Sequence, residues 1–447
     1  MRESSNSLLR VLGLAFGLAM IVGGVIGQGI LRSPGIVAEA TSSPAIYLGL
    51  WAFGAFLALI VAMPLAELGA AIPRAGGIYA IVARAFGEQA GVLTALVMLV
   101  LGVSTHAMLM FVLGEFLVRA GVGGGALSPG ALGLIAIIGM FALQATGTRL
   151  NGAFQIVLSS LKGGFLLVLV ALFFIEPGAA APAATDLPAL AGWSAFSIAM
   201  LVIISTYNGW GDIVFFGEEF KDPGRQVPRA LFGGIVGVAT IYLLVNLALI
   251  HVLSLPGMAG SNLAAADAAG RAFGPAGDLL LTAFGLLSVG AIAMLSTLIN
   301  ARYVFGAARA GILPRWIAKV SRKGSPNLAA ATACAASAAF LLSGSYLALS
   351  ATSVSLGQLA YVAVTLAFFR LRASEPDLPR PWRMPLYPMP AVIALVLNVG
   401  LLGLFVVEDP FNTVLGFALV AALWAGYWIF SRGRSNLAEL SRIEAET

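Results

Sequence analysis

Long apolar stretches, each followed by a short polar or Gly- and Pro-rich break, dominate the chain from residue 11 to residue 431. The breaks include Ser-Pro at 43–44, Pro-Arg-Ala-Gly-Gly at 73–77 and Glu-Asp-Pro at 408–410. Residues of this kind end helices and start turns. The pattern predicts twelve apolar helices, at approximately 11–40, 44–72, 90–118, 128–147, 151–176, 192–218, 229–254, 276–308, 327–344, 346–369, 389–407 and 411–431.

Length and composition place these helices in a membrane. A helix needs about 20 apolar residues to cross the hydrocarbon core, so twelve of them use more than half of the 447 residues. The chain is 60% hydrophobic and only 10% charged, whereas soluble domains are about 25% charged. The sequence therefore predicts an all-α integral membrane protein with twelve transmembrane helices and no room for a soluble catalytic domain.

Basic residues indicate the orientation. They fall mainly in the alternate loops that share a side with both chain ends, and the other loops contain only Arg119 and Arg271. Because cytoplasmic loops are enriched in Lys and Arg, the tails 1–10 and 432–447 are predicted to be cytoplasmic, with the chain multi-pass in the cell (inner) membrane. The net charge of +5 follows from this topology. The lipid bilayer is thus the expected partner of the surface, and no nucleic-acid partner is predicted.

Two of the predicted helices contain Gly clusters at their midpoints. Helix 1 has GGVIGQG at 23–29 and helix 6 has YNGWG at 207–211. Gly costs about 1 kcal/mol relative to Ala inside a helix. In membrane helices, glycines usually allow close packing of neighbouring helices. Helices 1 and 6, however, begin two successive groups of five, 11–176 and 192–369, so the second group would be inverted, with 389–431 supplying two additional helices. Matching interruptions in two repeats point to a transporter binding site.

Interrupted helices expose backbone groups that suit an amino acid. Unwound backbone at mid-membrane is tolerated only where it is buried or lines a cavity. Free amides at a half-helix N-terminus suit a carboxylate, and free carbonyls suit an ammonium or a cation. The two interruptions together predict a preformed amino-acid receptor.

Five segments carry a family likeness: GGVIGQGILRSPGIVA in helix 1, AELGAAIPRAGGIYAIVARAFG in loop 2–3, YNGWGDIVFFGEEFKDPGRQVPRAL in helix 6 and its exit, ARYVFGAARAGILP ending helix 8, and PWRMPLYPMP in loop 10–11. In this order they resemble the amino acid–polyamine–organocation transporter superfamily, especially its L-amino acid transporter-like branch. The resemblance covers nearly the whole chain. It implies a ten-helix core of five-plus-five inverted repeats, with helices 1 and 6 unwound at mid-membrane.

The resemblance also implies which groups meet the substrate. Its carboxylate would meet the amides of Ile26, Gly27, Gln28 and Gly29. Its α-ammonium would meet carbonyls near Val25, Ser205, Thr206 and Asn208. The other members of the expected binding segment in helix 6 are Tyr207, Gly209 and Trp210.

Two positions depart from the family pattern. Relatives usually have Ser where this chain has Gln28, a change that the amide contacts could survive. Many relatives also place a bulky aromatic gate where Ser205 falls. Tyr207 and Trp210 are near Ser205 in sequence but on other faces of the helix, which puts the aromatic gate in question.

A lysine stands in the middle of helix 5. Lys162 lies in SSLKGGF, where a charge costs several kcal/mol unless it is paired and where the span is too long on both sides for snorkelling to be favoured. The resemblance implies that its amine takes the place of sodium in sodium-coupled members, between the helix 1 break and Ser296 of helix 8. We therefore expect sodium-independent transport, by exchange or with proton coupling.

Several polar residues admit more than one interpretation. Asp212, directly after the helix 6 break, could be a proton site, a recognition carboxylate for a cationic substrate, or a partner of cytoplasmic polar groups. His106 in helix 3 could line the side-chain pocket or make a helix–helix hydrogen bond. Glu115, near the outer end of helix 3, is expected to reach water.

An inner gate is also predicted from charges near the cytoplasmic face. Its ion pairs would involve Glu67, Arg74, Glu218 and Glu219.

Other protein classes have less support. The sequence has no GxxxxGK[ST] phosphate loop for an ATP-driven pump and no repeated selectivity filter for a channel. A metal carrier would want ligands in both breaks, and helix 1 offers only Gln28. We therefore predict a transporter that is not an enzyme and has no cofactor and no metal site, although an amino acid sensor that does not transport stays open.

The favoured substrate is a neutral L-amino acid, because the pocket-forming segments are mostly apolar. A cationic amino acid or a polyamine is the alternative, with Asp212 as the obvious carboxylate. Whether the chain forms a homodimer or binds an accessory subunit is left open at this point.

Overall fold

The computed structural model describes residues 12–41, 43–73, 77–145, 151–178, 192–309, 311–319, 326–343 and 345–431. Within these ranges the regular elements are helices, and the only β contact is an isolated parallel bridge between Leu12 and Phe220. The described part of the chain is therefore all-α, as predicted.

Most helices follow the predicted spans, but the helix predicted at 276–308 extends over Ala264–Arg309, with non-helical backbone at Gly274. The first group is α1 (Leu14–Val25), α2 (Gln28–Glu39), α3 (Pro44–Ala71), α4 (Gly77–Phe86), α5 (Glu88–Arg119), α6 (Pro129–Ala145) and α7 (Asn151–Ile175). The second group is α8 (Trp193–Tyr207), a 3-10 helix (Trp210–Glu219), α9 (Pro223–Leu253), α10 (Leu255–Met258), α11 (Ala264–Arg309), a short 3-10 helix (Arg315–Ala318), α12 (Asn327–Ser343) and α13 (Tyr346–Ser374). The last two helices are α14 (Met389–Glu408) and α15 (Pro410–Ser431).

Length and hydropathy identify membrane spans among the described residues. Eight helical segments are long and apolar enough to cross a bilayer, or nine if α1 and α2, bent by 49°, form one broken span. Shorter apolar helices include Pro129–Gln144, Leu161–Ile175 and Asn327–Leu342. The chain is thus a multi-pass membrane protein, while the count of twelve spans stays a prediction.

Side-chain caps explain where several helices begin. Ser345 accepts a hydrogen bond from the Ala348 amide at 3.4 Å and so starts α13, at the boundary that hydropathy marks least clearly. Asp222 Oδ1 accepts from the Arg225 amide at 3.2 Å, and Pro223 occupies the first position of α9. Because such caps satisfy free helix-terminal amides, α9 begins at Pro223 and not at 229 as predicted.

Loop 2–3 contains a short helix that the apolar pattern does not predict. The segment Gly77–Phe86 forms α4, and Gly77 begins it with φ +52°.

An aromatic cluster joins the scaffold to the second interruption. Trp51 of α3 packs edge-on against Tyr207 and Tyr242, with ring centroids 6.2 Å and 6.0 Å away. All three side chains are buried. Helix α3 lies along α9, α1 packs against α9 and α7, and α5 lies between α11 and α13. This arrangement holds the two glycine-rich segments beside each other.

Candidate functional site

The first glycine-rich segment separates α1 from α2. Helix α1 ends at Val25, Ile26 has φ −71° and ψ 100°, and Gly27 has φ −153° and ψ −136°. Helix α2 then begins at Gln28 with no side-chain cap. The first amides of a helix have no intrahelical acceptor, so the N-terminus of α2 offers free donors.

The second segment separates α8 from the 3-10 helix. Asn208 is extended, with ψ 156°, and Gly209 is left-handed, with φ 112°. Asn208 Oδ1 accepts a hydrogen bond from the Gly209 amide at 2.9 Å. Gly is required at 209 because other residues rarely adopt this backbone conformation.

The two segments touch each other directly. A Cβ atom placed on Gly209 would lie 3.2 Å from the Gly24 carbonyl oxygen. A Cβ atom placed on Gly29 would lie 2.7 Å from Thr206 Cα. Glycine is therefore what lets α2 and α8 approach at this point.

Tyr242 of α9 connects the two interruptions. Its hydroxyl lies 2.7 Å from the Val25 carbonyl oxygen and 3.2 Å from that of Thr206. Each carbonyl has two lone pairs, so both can still accept a hydrogen bond from a ligand. Sequence reasoning missed Tyr242 because it lies in an uninterrupted apolar helix.

A cavity of about 170 Å³ opens beside both interruptions. Nine of the predicted site residues line it: Val25, Gly27, Gly29, Ser205, Thr206, Asn208, Gly209, Asp212 and Ser296. The rest of its wall comes mainly from α5, α11 and α13, including Met98, Thr105, Leu109, Ile292, Asn300, Tyr303, Ser353 and Tyr361.

Other predicted binding residues lie elsewhere. Tyr207 and Trp210 line a separate, smaller pocket of about 30 Å³. Ile26 is 1% exposed and is absent from the cavity lining. The Gln28 side chain lies outside the described part of the structure.

Polar side chains contribute to the wall of the cavity. Asp212 lines it, and no described cation lies within ion-pair distance of its carboxylate. Ser296 Oγ accepts a hydrogen bond from Asn300 Nδ2 at 3.3 Å. Ser205 Oγ donates to Met108 Sδ at 3.6 Å, so the position of the expected aromatic gate is occupied by a small polar residue. Among the described residues, no group of three or more His, Cys, Asp or Glu side chains could hold a metal ion.

Lys162 is buried but unpaired. Its residue is 3% exposed, and its Nζ has no hydrogen-bond partner among the described residues. No hydrogen bond joins it to Ser296. His106, by contrast, makes a helix–helix contact, since its Nε2 lies 2.8 Å from Thr297 Oγ1 of α11.

The predicted inner-gate residues are only partly accounted for. Glu67 is fully buried and pairs with Arg372 at 2.5 Å and with Arg380 at 3.2 Å, and its Oε2 also accepts from the Met384 amide at 2.7 Å. The Glu219 carboxylate has no described cation within ion-pair distance. Arg74 and the Glu218 side chain lie outside the described residues.

The expectation that Glu115 reaches water is wrong. Glu115 Oε2 lies 2.9 Å from Arg32 Nε, and its side chain is 9% exposed. Periodicity could not foresee this contact because Arg32 lies 83 positions earlier in the chain.

Paired helix interruptions that line one cavity, within a bundle of apolar helices, point to a secondary transporter. Residues 12–430 match the family model described as amino acid permease. The chain therefore belongs to the amino acid permease family. It is an amino acid transporter and not an enzyme.

Relatives of named activity support this assignment. The chain is 27% identical to the serine/threonine exchanger SteT of Bacillus subtilis, over 92% of this chain and 94% of SteT. It is 25% identical to the human large neutral amino acids transporter small subunit 2, over 93% of this chain and 79% of the relative. It is also 24% identical to the human cystine/glutamate transporter, over 96% and 86% of the two chains.

Proposed function

We propose that this permease carries neutral L-amino acids by alternating access, without sodium, by exchange or with proton coupling. The observation that carries the proposal is the cavity of about 170 Å³ that lies beside both interruptions. On one side of it the uncapped N-terminus of α2 offers amides for a carboxylate. On the other side the carbonyls of Val25 and Thr206 converge and suit an α-ammonium. The names of SteT and of the large neutral amino acids transporter agree with a neutral substrate.

Twelve spans and two inverted repeats are part of the proposal. Nine spans, counting the bent pair, together with the short apolar helices at 129–144, 161–175 and 327–342, would give twelve. Helix contacts support the repeat, because α1–α9, α5–α6 and α1–α7 have counterparts in α8–α3, α11–α12 and α8–α13. The repeats would be 11–176 and 192–369, with both termini in the cytoplasm and helices 1 and 6 interrupted at mid-membrane. We assign the protein to the cell (inner) membrane.

Sodium independence rests on Lys162. A buried amine beside α1 would supply the positive charge that a sodium ion supplies elsewhere, and such a buried charge is costly unless it is paired. Ser296 lines the cavity on α11, and we propose that it faces Lys162 in another state of the transport cycle.

The inner gate is proposed in a narrower form. Glu67 pairs with Arg372 and Arg380, so we propose that it stabilises the end of α13 and does not move with the gate. The moving partners of the gate would then be Arg74, Glu218 and Glu219.

Countercurrent exchange in proteoliposomes tests the substrate and the coupling together. Liposomes preloaded with serine, leucine, lysine, glutamate or putrescine would be compared, with and without sodium and a pH gradient. We expect trans-stimulation by neutral amino acids in the absence of sodium. Sodium-dependent uptake would contradict the role of Lys162, and binding without flux would identify a sensor.

A cationic amino acid or a polyamine is the second candidate, and one observation favours it. Asp212 lines the cavity without a described cation beside it. If a cationic side chain pairs with it, Asp212→Asn should abolish competition by lysine and leave competition by leucine within about twofold. If Asp212 instead carries a proton, the variant should lose dependence on the pH gradient for every substrate.

A further inference from the structure

A group of buried polar side chains lies at the end of the bundle where α5 ends and α13 begins. Arg32 Nε lies 2.9 Å and 3.2 Å from the two carboxylate oxygens of Glu115. The Arg32 guanidinium carbon lies 4.8 Å from the centre of the Tyr346 ring. Arg32 is only 8% exposed. We call Arg32, Ser33, Glu115 and Tyr346 the Arg32 cluster.

The cluster reaches the binding segment through Ser33. Ser33 Oγ lies 3.3 Å from the Tyr346 hydroxyl and 2.9 Å from Thr206 Oγ1. Thr206 lines the cavity. Hydrogen bonds and one ion pair therefore join α2, α5, α8 and α13 at this end.

The cluster lies beyond the cavity, toward the C-terminus of α5. Glu115 is six residues, about 9 Å along a helix, past Leu109, the last cavity-lining residue of α5. Tyr346 lies seven residues, about 10 Å, before Ser353, the first cavity-lining residue of α13. Neither Arg32 nor Glu115 lines the cavity. A solute entering from this end must therefore pass the cluster.

Helix α2 is separated from α1 by a break in the helix. It is joined to α1 only through the non-helical residues Ile26 and Gly27. It packs mainly against α8, α11 and α10 and makes few contacts with α5. The Arg32–Glu115 ion pair joins α2 to α5, and a movement of α2 away from α5 would break it.

We propose that Arg32 and Glu115 form an ion-pair lock that closes the cavity toward the α5 C-terminus, and that this lock opens each time substrate is exchanged on that side. The inference rests on the alternating access proposed above. A buried pair that loses one partner leaves an uncompensated charge, so removal of either residue disfavours the closed state and shifts the population toward the open one.

Cysteine accessibility tests the lock directly. In a Cys334→Ser background, which removes the only native cysteine, Leu109→Cys places a reporter in the cavity. A membrane-impermeant methanethiosulfonate would be added to proteoliposomes from the side of the α5 C-terminus. Glu115→Gln and Arg32→Gln should each raise the labelling rate at least fivefold, and the double reversal Arg32→Glu with Glu115→Arg should return it to within twofold of the parent.

A matched control exists at the same end of the bundle. Arg119, also on α5, pairs with Asp267 at 2.7 Å and Asp278 at 2.6 Å on α11, where all three side chains are partly exposed. Arg119→Gln should leave the labelling rate unchanged. If a Gln variant does not accumulate in the membrane, Arg32→Lys replaces it. This variant loses the contact with both carboxylate oxygens, and its labelling rate should also rise at least fivefold.

Two results would overturn the lock. One is labelling of the Arg32 and Glu115 variants at the Arg119→Gln rate. The other is an equal rise for reagent added from either side, which would indicate general loosening of the fold. Because labelling reports access and not turnover, the result stands whichever amino acid the protein carries.

Discussion

Tyr242 is the residue on which both helix interruptions converge, and its hydroxyl can be removed without changing the ring. Tyr242→Phe deletes the 2.7 Å contact with the Val25 carbonyl, and a buried acceptor that loses its donor costs about 1–3 kcal/mol. We expect a lower melting temperature in detergent and a substrate half-saturation constant raised about three- to tenfold. Tyr427→Phe, on the peripheral α15, is the control. Equal effects of the two substitutions would contradict a specific role for Tyr242.

Lys162 gives the second prediction at this scale. Lys162→Ala should reduce exchange at least tenfold, because the only buried amine of α7 disappears. Lys221→Ala removes an exposed lysine and should retain parental rates. The measurement is radiolabelled countercurrent exchange at matched protein density in the membrane. Full activity of Lys162→Ala, with unchanged ion dependence, would exclude a coupling role.

Some of the site could be predicted at the residue scale and some could not. The glycines of 23–29 and 207–211 mark the interruptions because a residue without a Cβ atom leaves helical geometry at little cost. Arg32 and Glu115 gave no such signal, since hydropathy places each on a helix but does not say which helices are neighbours. Tyr242 was missed for the same reason: its task depends on carbonyls 217 and 36 residues away.

At the scale of the helix, the interruption at Gly209 carries a testable requirement. Its left-handed φ of 112° costs a residue with a Cβ atom about 1–2 kcal/mol, and the added atom would also press on the Gly24 carbonyl 3.2 Å away. Gly209→Ala should therefore lower both thermal stability and transport. Gly237→Ala, in the interior of α9 with open space around it, should be neutral or stabilising by about 1 kcal/mol. A Gly209→Ala protein that behaves like Gly237→Ala would contradict the requirement.

Two ion pairs near the end of α13 should differ in strength. Glu67 is fully buried against Arg372 and Arg380, so Glu67→Gln should cost about 3–5 kcal/mol of stability. Glu375→Gln breaks a partly exposed pair with Arg84 and should cost at most about 1 kcal/mol. Thermal unfolding of both variants gives the comparison, and similar losses would contradict the ranking.

The Glu375 pair also has a pH signature. The hydrogen bond from Arg84 holds the pKa of the Glu375 carboxyl below its ordinary value. The pair therefore stabilises the fold above that ordinary value, and its contribution is lost as the pH falls through the lowered pKa.

Helix ends were predictable where a cap or a proline sets them. The span predicted at 44–72 appears as Pro44–Ala71, and the start of α13 follows from Ser345. Helix α4 was not predicted because its ten residues are too few to span a membrane, although its basic and apolar residues fit a helix lying at the surface of the bundle.

At the scale of the whole molecule, the proposed repeat predicts a topology. Twelve spans would bring both termini to one side and the Gly-rich segment at 121–125 to the other. A fluorescent protein fused after residue 431 should fold and fluoresce in cells, whereas alkaline phosphatase fused there should be inactive. Phosphatase inserted at 121–125 should be active. An active C-terminal phosphatase fusion would indicate an odd number of spans.

The close approach of Gly29 to Thr206 has a consequence for how such sequences can diverge. Since a Cβ atom on Gly29 would sit 2.7 Å from Thr206 Cα, no substitution at 29 can be absorbed by repacking a side chain, and the backbone of α8 would have to shift. Positions 29 and 206 are therefore not free to diverge independently. The substitutions tolerated at 29 should depend on the residue at 206, so the two segments are expected to evolve together although they lie 177 positions apart in the sequence.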